Sequence, residues 1–164
     1  MTIKNTLNFA KSNPNTDFFF KSKRVSVENL NDKKYSQEKL ILDSKLRNCK
    51  LILGGDTREL IKDAKAIIGF NSTALIEGLI LKKPVIVPCF GIKKKSIMKN
   101  FMLNLSNSVF NAKNKKIFNL LMEKILKNNL KEKKISKKKL NQIIYNHIGN
   151  IDGKSTKRLE NYLL

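Results

Sequence analysis

The sequence predicts an α/β protein, a parallel sheet flanked by helices on both faces. Three observations predict it. Short apolar runs of strand length alternate with stretches of helical periodicity. The clearest runs, such as Pro84-Val85-Ile86-Val87-Pro88, are continuous rather than alternating, as strands buried on both faces are. Hydrophobic residues make up 41 % of 164 positions, enough for one core of ordinary size and too many for a disordered tail.

The elements follow in order. Residues 3–12 place Ile3, Leu7 and Ala10 at helical spacing beside Phe9, and Asn13-Pro14-Asn15 stops that helix. Asp17-Phe18-Phe19-Phe20-Lys21 reads as a buried strand. Residues 24–34 are polar and read as a loop. Residues 36–47 read as a helix containing Leu40, Ile41 and Leu42. Leu51-Ile52-Leu53 is a second strand, closed by Gly54-Gly55. Asp56 is an N-cap with Glu59 three residues on, the spacing of a capping box, and that helix ends near Ala64. Ala66-Ile67-Ile68-Gly69 is a third strand. Asn71 and Ser72 open a helix running to about Lys82, and residues 84–88 are a fourth strand whose first Pro sits where a ladder N–H is least needed. Ser108-Val109-Phe110 is a fifth. Residues 115–127 form an amphipathic helix, with Ile117, Leu120, Leu121, Lys124 and Ile125 spaced by three and four. A lysine-rich stretch over 131–139 overlaps a helix over 136–148, and 155–164 reads as a last helix. Right-handed crossovers make this a Rossmann-like layer over residues 1–112, with residues 113–164 as C-terminal helices packing on it.

Charge narrows the partners. There are 34 Lys plus Arg against 13 Asp plus Glu, a net charge of +21. Only Arg24, Arg47, Arg58 and Arg158 are arginines, and Lys with Asn makes 50 of the 164 residues. That bias follows A/T-rich codons and needs no function. With little Arg and no Trp, nucleic acid is a weak fit, since base and phosphate readers rely on the guanidinium fork and on aromatic stacking. An anionic membrane surface or anionic substrate fits at least as well. The longest apolar region, 66–81, is interrupted by Asn71, Ser72 and Glu77, and no signal segment opens the chain. Cys49 and Cys89 stand apart from any Cys or His spacing, which points to a reducing cytoplasm and no metal site.

Ligands of such sheets bind at the C-terminal ends of strands, beside helix N-termini. The densest candidate there is Gly69-Phe70-Asn71-Ser72-Thr73-Ala74-Leu75-Ile76-Glu77-Gly78. Free N–H groups and the Asn71, Ser72 and Thr73 side chains would cradle a phosphate, and Glu77, one turn on, would accept hydrogen bonds from a ribose diol. Equally, Asn71 or Ser72 simply caps the helix and Glu77 faces solvent. Both readings stand on local chemistry alone. Pro88-Cys89-Phe90-Gly91 with Lys93-Lys94-Lys95 closes the fourth strand; it could line the same cleft with lysines near a diphosphate, but in this composition reads first as a solvated loop. Lys21, Ser22 and Lys23 close the aromatic strand and would also face the cleft, a weak signal in so lysine-rich a chain. His147 is the single histidine and reads as structural. No Ser-His-Asp order, HExxH, Walker lysine motif or GxGxxG occurs.

The run Ala66-Ile67-Ile68-Gly69-Phe70-Asn71-Ser72-Thr73-Ala74-Leu75-Ile76-Glu77-Gly78, continued by Lys82-Lys83-Pro84-Val85-Ile86-Val87-Pro88, resembles the C-terminal domain of GT-B-type glycosyltransferases. It is most similar to the bacterial surface-carbohydrate and capsular-polysaccharide branch, related to the CDP-glycerol glycerophosphotransferases. Asn13-Pro14 to Lys21-Ser22-Lys23, and Tyr145 to Arg158 with Gly149-Asn150-Ile151-Asp152-Gly153-Lys154-Ser155, agree with it in the same order. The resemblance implies one half of a GT-B fold that binds a nucleotide-sugar donor and needs no bound cofactor or metal. Asn71, Ser72 and Thr73 would hold the phosphates and Glu77 the ribose or donor sugar. Lys21 and Lys23 would neutralise the diphosphate, and Asp152, Lys154 and Arg158 would form the cleft rim or lock the C-terminal helices. A glycan acceptor, and a separate N-terminal half or a homo-oligomer, would complete the enzyme. The chain starts at a helix where that domain starts with a strand. It would then be a truncated product, a piece of a split enzyme or a donor-binding remnant, cytoplasmic or peripheral at the inner face of the membrane. No catalytic base is assigned. The rivals are a nucleotide-sugar epimerase of the same fold and a non-catalytic basic module for nucleic acid or anionic surfaces.

Overall fold

The computed structural model describes residues 2–23, 26, 31–90, 105–150, 152–154 and 157. It is an α/β fold: five parallel-paired strands and six α-helices among these residues. They are α1 (Thr2–Lys11), β1 (Phe18–Lys21), α2 (Ser36–Asp43), β2 (Cys49–Ile52), α3 (Thr57–Asp63), β3 (Ile67–Ile68), α4 (Ala74–Ile80), β4 (Val85–Pro88), β5 (Phe110–Ala112), α5 (Lys115–Leu126) and α6 (Lys137–His147). The final helix anticipated over 155–164 and the loop over 91–104 lie outside the described residues.

The strands form two ladders rather than the one continuous sheet anticipated: β1–β2 and β3–β4–β5. β3 is only two residues long, and both are paired with β4, Ile67 opposite Val85 and Ile68 opposite Ile86. One apolar cluster joins the ladders. Phe18 and Phe20 of β1 pack with Ala66, Ile68 and Ile86, together with Ala10 of α1 and Phe118, Met122 and Ile125 of α5. Val85 and Val87 point the other way, into a second cluster with Leu75, Ile76 and Leu79 of α4 and Ile143 and Ile144 of α6. Alternation along β4 thus produces the two covered faces. Phe118 is fully buried, and burial of one such side chain contributes about 1.5–3 kcal/mol.

The aromatic strand is only partly buried. The same alternation sends Phe19 outward, 53 % exposed, where the Lys50 ammonium sits 5.2 Å above its ring and also pairs with Asp17 at 3.1 Å. Buried Asn48 ties the α1–β1 turn to β2. Its amide nitrogen lies 3.1, 3.0 and 3.0 Å from the carbonyls of Ala10, Asn13 and Thr16.

Three helices end on a left-handed residue that is not glycine. Lys45 (φ 52°) stops α2 four residues before the sequence-based limit, Lys82 (φ 53°) follows α4, and Asn128 (φ 53°) follows α5. At α4 the Lys83 N–H reaches back to the Gly78 carbonyl at 2.9 Å, closing a Schellman-type turn.

Candidate functional site

The site is built on the turn between β3 and α4. Asn71 takes a left-handed conformation (φ 50°), a state asparagine tolerates better than most residues, and this reverses the chain after the strand. A left-handed residue cannot sit inside a right-handed helix, so Asn71 lies outside α4, which starts at Ala74. Leu75 folds back onto the turn. A Cβ on Gly69 would lie 2.9 Å from its Cδ2, so the strand end and the helix approach closely only because residue 69 has no side chain. Gly78 does the same on the sheet side: a Cβ there would meet Ile67 at 3.0 Å and Val85 at 3.1 Å. These two glycines seat α4 flush on β3 and β4.

The start of α4 carries no side-chain cap. α2 likewise starts without one, at Tyr35, whereas α3, α5 and α6 close this gap. Asp56 accepts from the Arg58 N–H at 2.8 Å at α3, Asn114 from Ile117 at 2.9 Å at α5, and Ser136 from Lys139 at 3.2 Å at α6. At α4 the Ser72 and Thr73 hydroxyls make no hydrogen bond among the described residues, and no acceptor there takes the N–H groups of Ser72, Thr73 or Ala74. The capping role that Asn71 or Ser72 was open to is therefore not what the turn does.

Glu77 lies one turn further on. It is half-buried, and its Oε2 is fully buried with no hydrogen-bond partner among the described residues. A carboxylate oxygen removed from water without a donor is costly, so this group calls for a hydrogen-bond donor. Across the α3–α4 contact stands Arg58. Asp56 grips it through both carboxylate oxygens, at 3.1, 3.0 and 2.6 Å. That grip pulls the Asp56 carboxyl down to about 2. The same bonds raise the Arg58 guanidinium above its ordinary value, and the Glu77 and Glu59 charges add to the effect. Asp56 caps α3 as anticipated, while Glu59 lies 3.7 Å from Lys62 in an ion pair.

The other anticipated site residues are placed as follows. Lys21 closes β1, half-buried, and its ammonium donates to the Ser22 carbonyl at 2.9 Å; Lys23 is exposed. Ser22 donates at 2.6 Å to the carboxylate of Glu38 of α2, a residue only 7 % exposed. Asp152 and Lys154 are both exposed, and Asp152 accepts from the Lys154 N–H at 3.1 Å. Arg158 lies outside the described residues, as do Gly91 and the 93–95 lysines. Phe90 leaves the β4 end for the core, edge-on to Phe118 at 5.9 Å. The Asp56–Arg58 clamp and the Ser22–Glu38 pair were not singled out as site features from the sequence. For the clamp, the signal was an arginine two residues after a cap in a chain with four arginines.

Burial raises both thiols, Cys49 and Cys89, above their ordinary value, with Lys113 partly opposing it at Cys89. Among the described residues no three His, Cys, Asp or Glu side chains gather to hold a metal ion, and no helix is long and apolar enough to cross a membrane. Comparison of the chain with protein-family models, with curated proteins and with solved structures finds no match.

Proposed function

We propose that the chain is the donor-binding domain of a glycosyltransferase for surface-polysaccharide synthesis, taking a nucleotide sugar or a related nucleotide-linked unit at the β3–α4 turn. The observation that carries this reading is the buried, unpartnered Oε2 of Glu77 beside an uncapped helix start. The order of the three resembling segments supports it. In this reading the Ser72 and Thr73 hydroxyls and the open N–H groups donate to the diphosphate, in the field of the helix dipole. Glu77 accepts the hydroxyl donors of the ribose or the donor sugar after a side-chain rotation that brings its buried Oε2 to the ligand. Arg58, fixed by Asp56, adds a positive charge on the α3 side. Stabilising a departing nucleotide diphosphate in this way is electrostatic work that preorganised donors perform well. The glycan acceptor and the group that activates it belong to another unit of the enzyme.

The test is calorimetric titration of the whole chain with UDP, CMP and CDP and their sugar forms, at low and at high salt. The reading predicts saturable binding of one nucleotide class, changing little with salt. Binding that collapses as salt rises, with no preference among nucleotides, would instead mark a non-specific basic surface. Interconversion of a nucleotide sugar without any acceptor would assign an epimerase.

A further inference from the structure

The net charge is not spread evenly. Residues 36–88, which carry β2, β3, β4 and the proposed donor turn, hold nine Lys and Arg against six Asp and Glu. Residues 127–139 hold seven Lys against Glu132 alone.

The fold gathers those lysines on one edge. β5 is the last strand of its ladder. The connector between α5 and α6 runs around it: Leu130 packs into the cluster on one face of the sheet and Ile135 into the cluster on the other. Between them Lys133 lies 5.3 Å above the Phe110 ring of β5. Lys127, Lys131, Lys134, Lys137, Lys138 and Lys139 are all exposed. Lysines on an edge strand discourage strand pairing, but this edge is already covered by the connector, and far fewer would suffice. Lys137, Lys138 and Lys139 moreover fill the first turn of α6, which holds no acidic residue. Positive charge at that end opposes the helix dipole and weakens the helix it starts. Lys138, Asn141, Gln142 and Tyr145 then follow at helical spacing beside an open depression, with Tyr145 61 % exposed.

We propose that this β5 edge, from Lys127 to Tyr145, is a docking surface for an anionic phospholipid bilayer. Charge complementarity selects that partner. A cluster of lysines is the usual electrostatic footprint on acidic headgroups, and a tyrosine bordering it suits the headgroup layer. The patch contains no arginine, so it lacks the planar fork that reads phosphodiester and base edges in nucleic acid. The proposal does not depend on the donor site.

The experiment is co-sedimentation of the whole chain with phosphatidylcholine vesicles, with and without about a third phosphatidylglycerol. The wild type is expected to bind only the anionic vesicles, and less as salt rises. The triple variant Lys137→Glu, Lys138→Glu, Lys139→Glu is expected to bind at least about tenfold more weakly. Because the reversal favours the α6 dipole, its melting temperature is expected to match or exceed wild type, which separates lost docking from lost fold. The variant Lys4→Glu, Lys45→Glu, Lys65→Glu carries the same net charge and is expected to keep most of the binding. Equal loss in the two variants, equal binding to neutral vesicles, or tighter binding to duplex DNA than to vesicles would overturn the proposal. So would a triple variant that keeps vesicle binding while losing nucleotide affinity.

Discussion

The β2–α3 and β3–α4 junctions are both strand–turn–helix corners on neighbouring crossovers, and they use their polar groups in opposite ways. After β2 the chain turns through Gly54 and Gly55, at φ 60° and 74°, and Asp56 then satisfies the helix start and locks Arg58 in place. After β3 a single left-handed Asn71 makes the turn, and the helix start is left without a side-chain cap. The first corner closes on itself. The second leaves two hydroxyls, several N–H groups and one buried carboxylate oxygen unused among the described residues. Side chains cap α3, α5 and α6 but not α2 or α4, and of the two uncapped helices only α4 follows directly on a strand-end turn. The difference teaches where to look for a ligand: at the corner whose hydrogen bonds are incomplete.

That contrast can be broken by making the second corner resemble the first. Ser72→Asp places a carboxylate at the start of α4. It is expected to weaken nucleotide binding about 100-fold or more through repulsion of phosphate, while stabilising the helix by about 0.3–1 kcal/mol. Calorimetry and a melting curve on the same sample report the opposite signs. The next effect tests the seat of the turn. Gly78→Val forces a branched side chain against Ile67 and Val85, and is expected to cost about 1–3 kcal/mol in denaturant unfolding.

At the first corner, Asp56→Asn breaks the clamp without emptying the cap. Its effect is expected to be smaller than that of Gly78→Val and to depend on pH. The folded-state Asp56 carboxyl is held at about 2, below its ordinary value of 3.8, so its stabilisation is fully present above the ordinary value. It disappears as pH falls through about 2. The stability difference between wild type and variant is therefore expected to be flat from pH 5 upward and to close toward pH 2. The smallest effect lies at the far end of α4. Lys82→Gly relieves a left-handed lysine and is expected to add about 0.5–1 kcal/mol without changing nucleotide affinity.

Much of this architecture is legible in the sequence, and what is not has physical reasons. The apolar run at Val85–Pro88 and the cap at Asp56 follow from local pattern, because continuous hydrophobicity and capping chemistry act over a few residues. The late start of α4 does not, because a helix-forming pattern through Asn71 says nothing of its left-handed backbone. β5 moves two residues on, to Phe110–Ala112, with exposed Asn111 inside it. Asn48 looks like one more asparagine in a chain of 20, yet it bonds to carbonyls 32 to 38 positions away. Glu38 has no local pattern that marks it, and it is buried with Ser22, 16 positions away, as its hydrogen-bond donor. Of the anticipated site, Gly69, Asn71, Ser72, Thr73 and Glu77 come from one contiguous stretch and are neighbours by sequence alone. The Asp56–Arg58 side of the corner joins them only through the packing of α3 on α4.

The most direct measurement is titration of wild type and of the Ser72→Ala, Glu77→Ala double variant with the preferred nucleotide diphosphate, each checked for an intact melting transition. The account predicts saturable binding by wild type and a loss of at least about 100-fold in the double variant, from removing a phosphate donor and the carboxylate together. A double variant that binds as tightly as wild type would contradict it, and would place the ligand away from the β3–α4 turn.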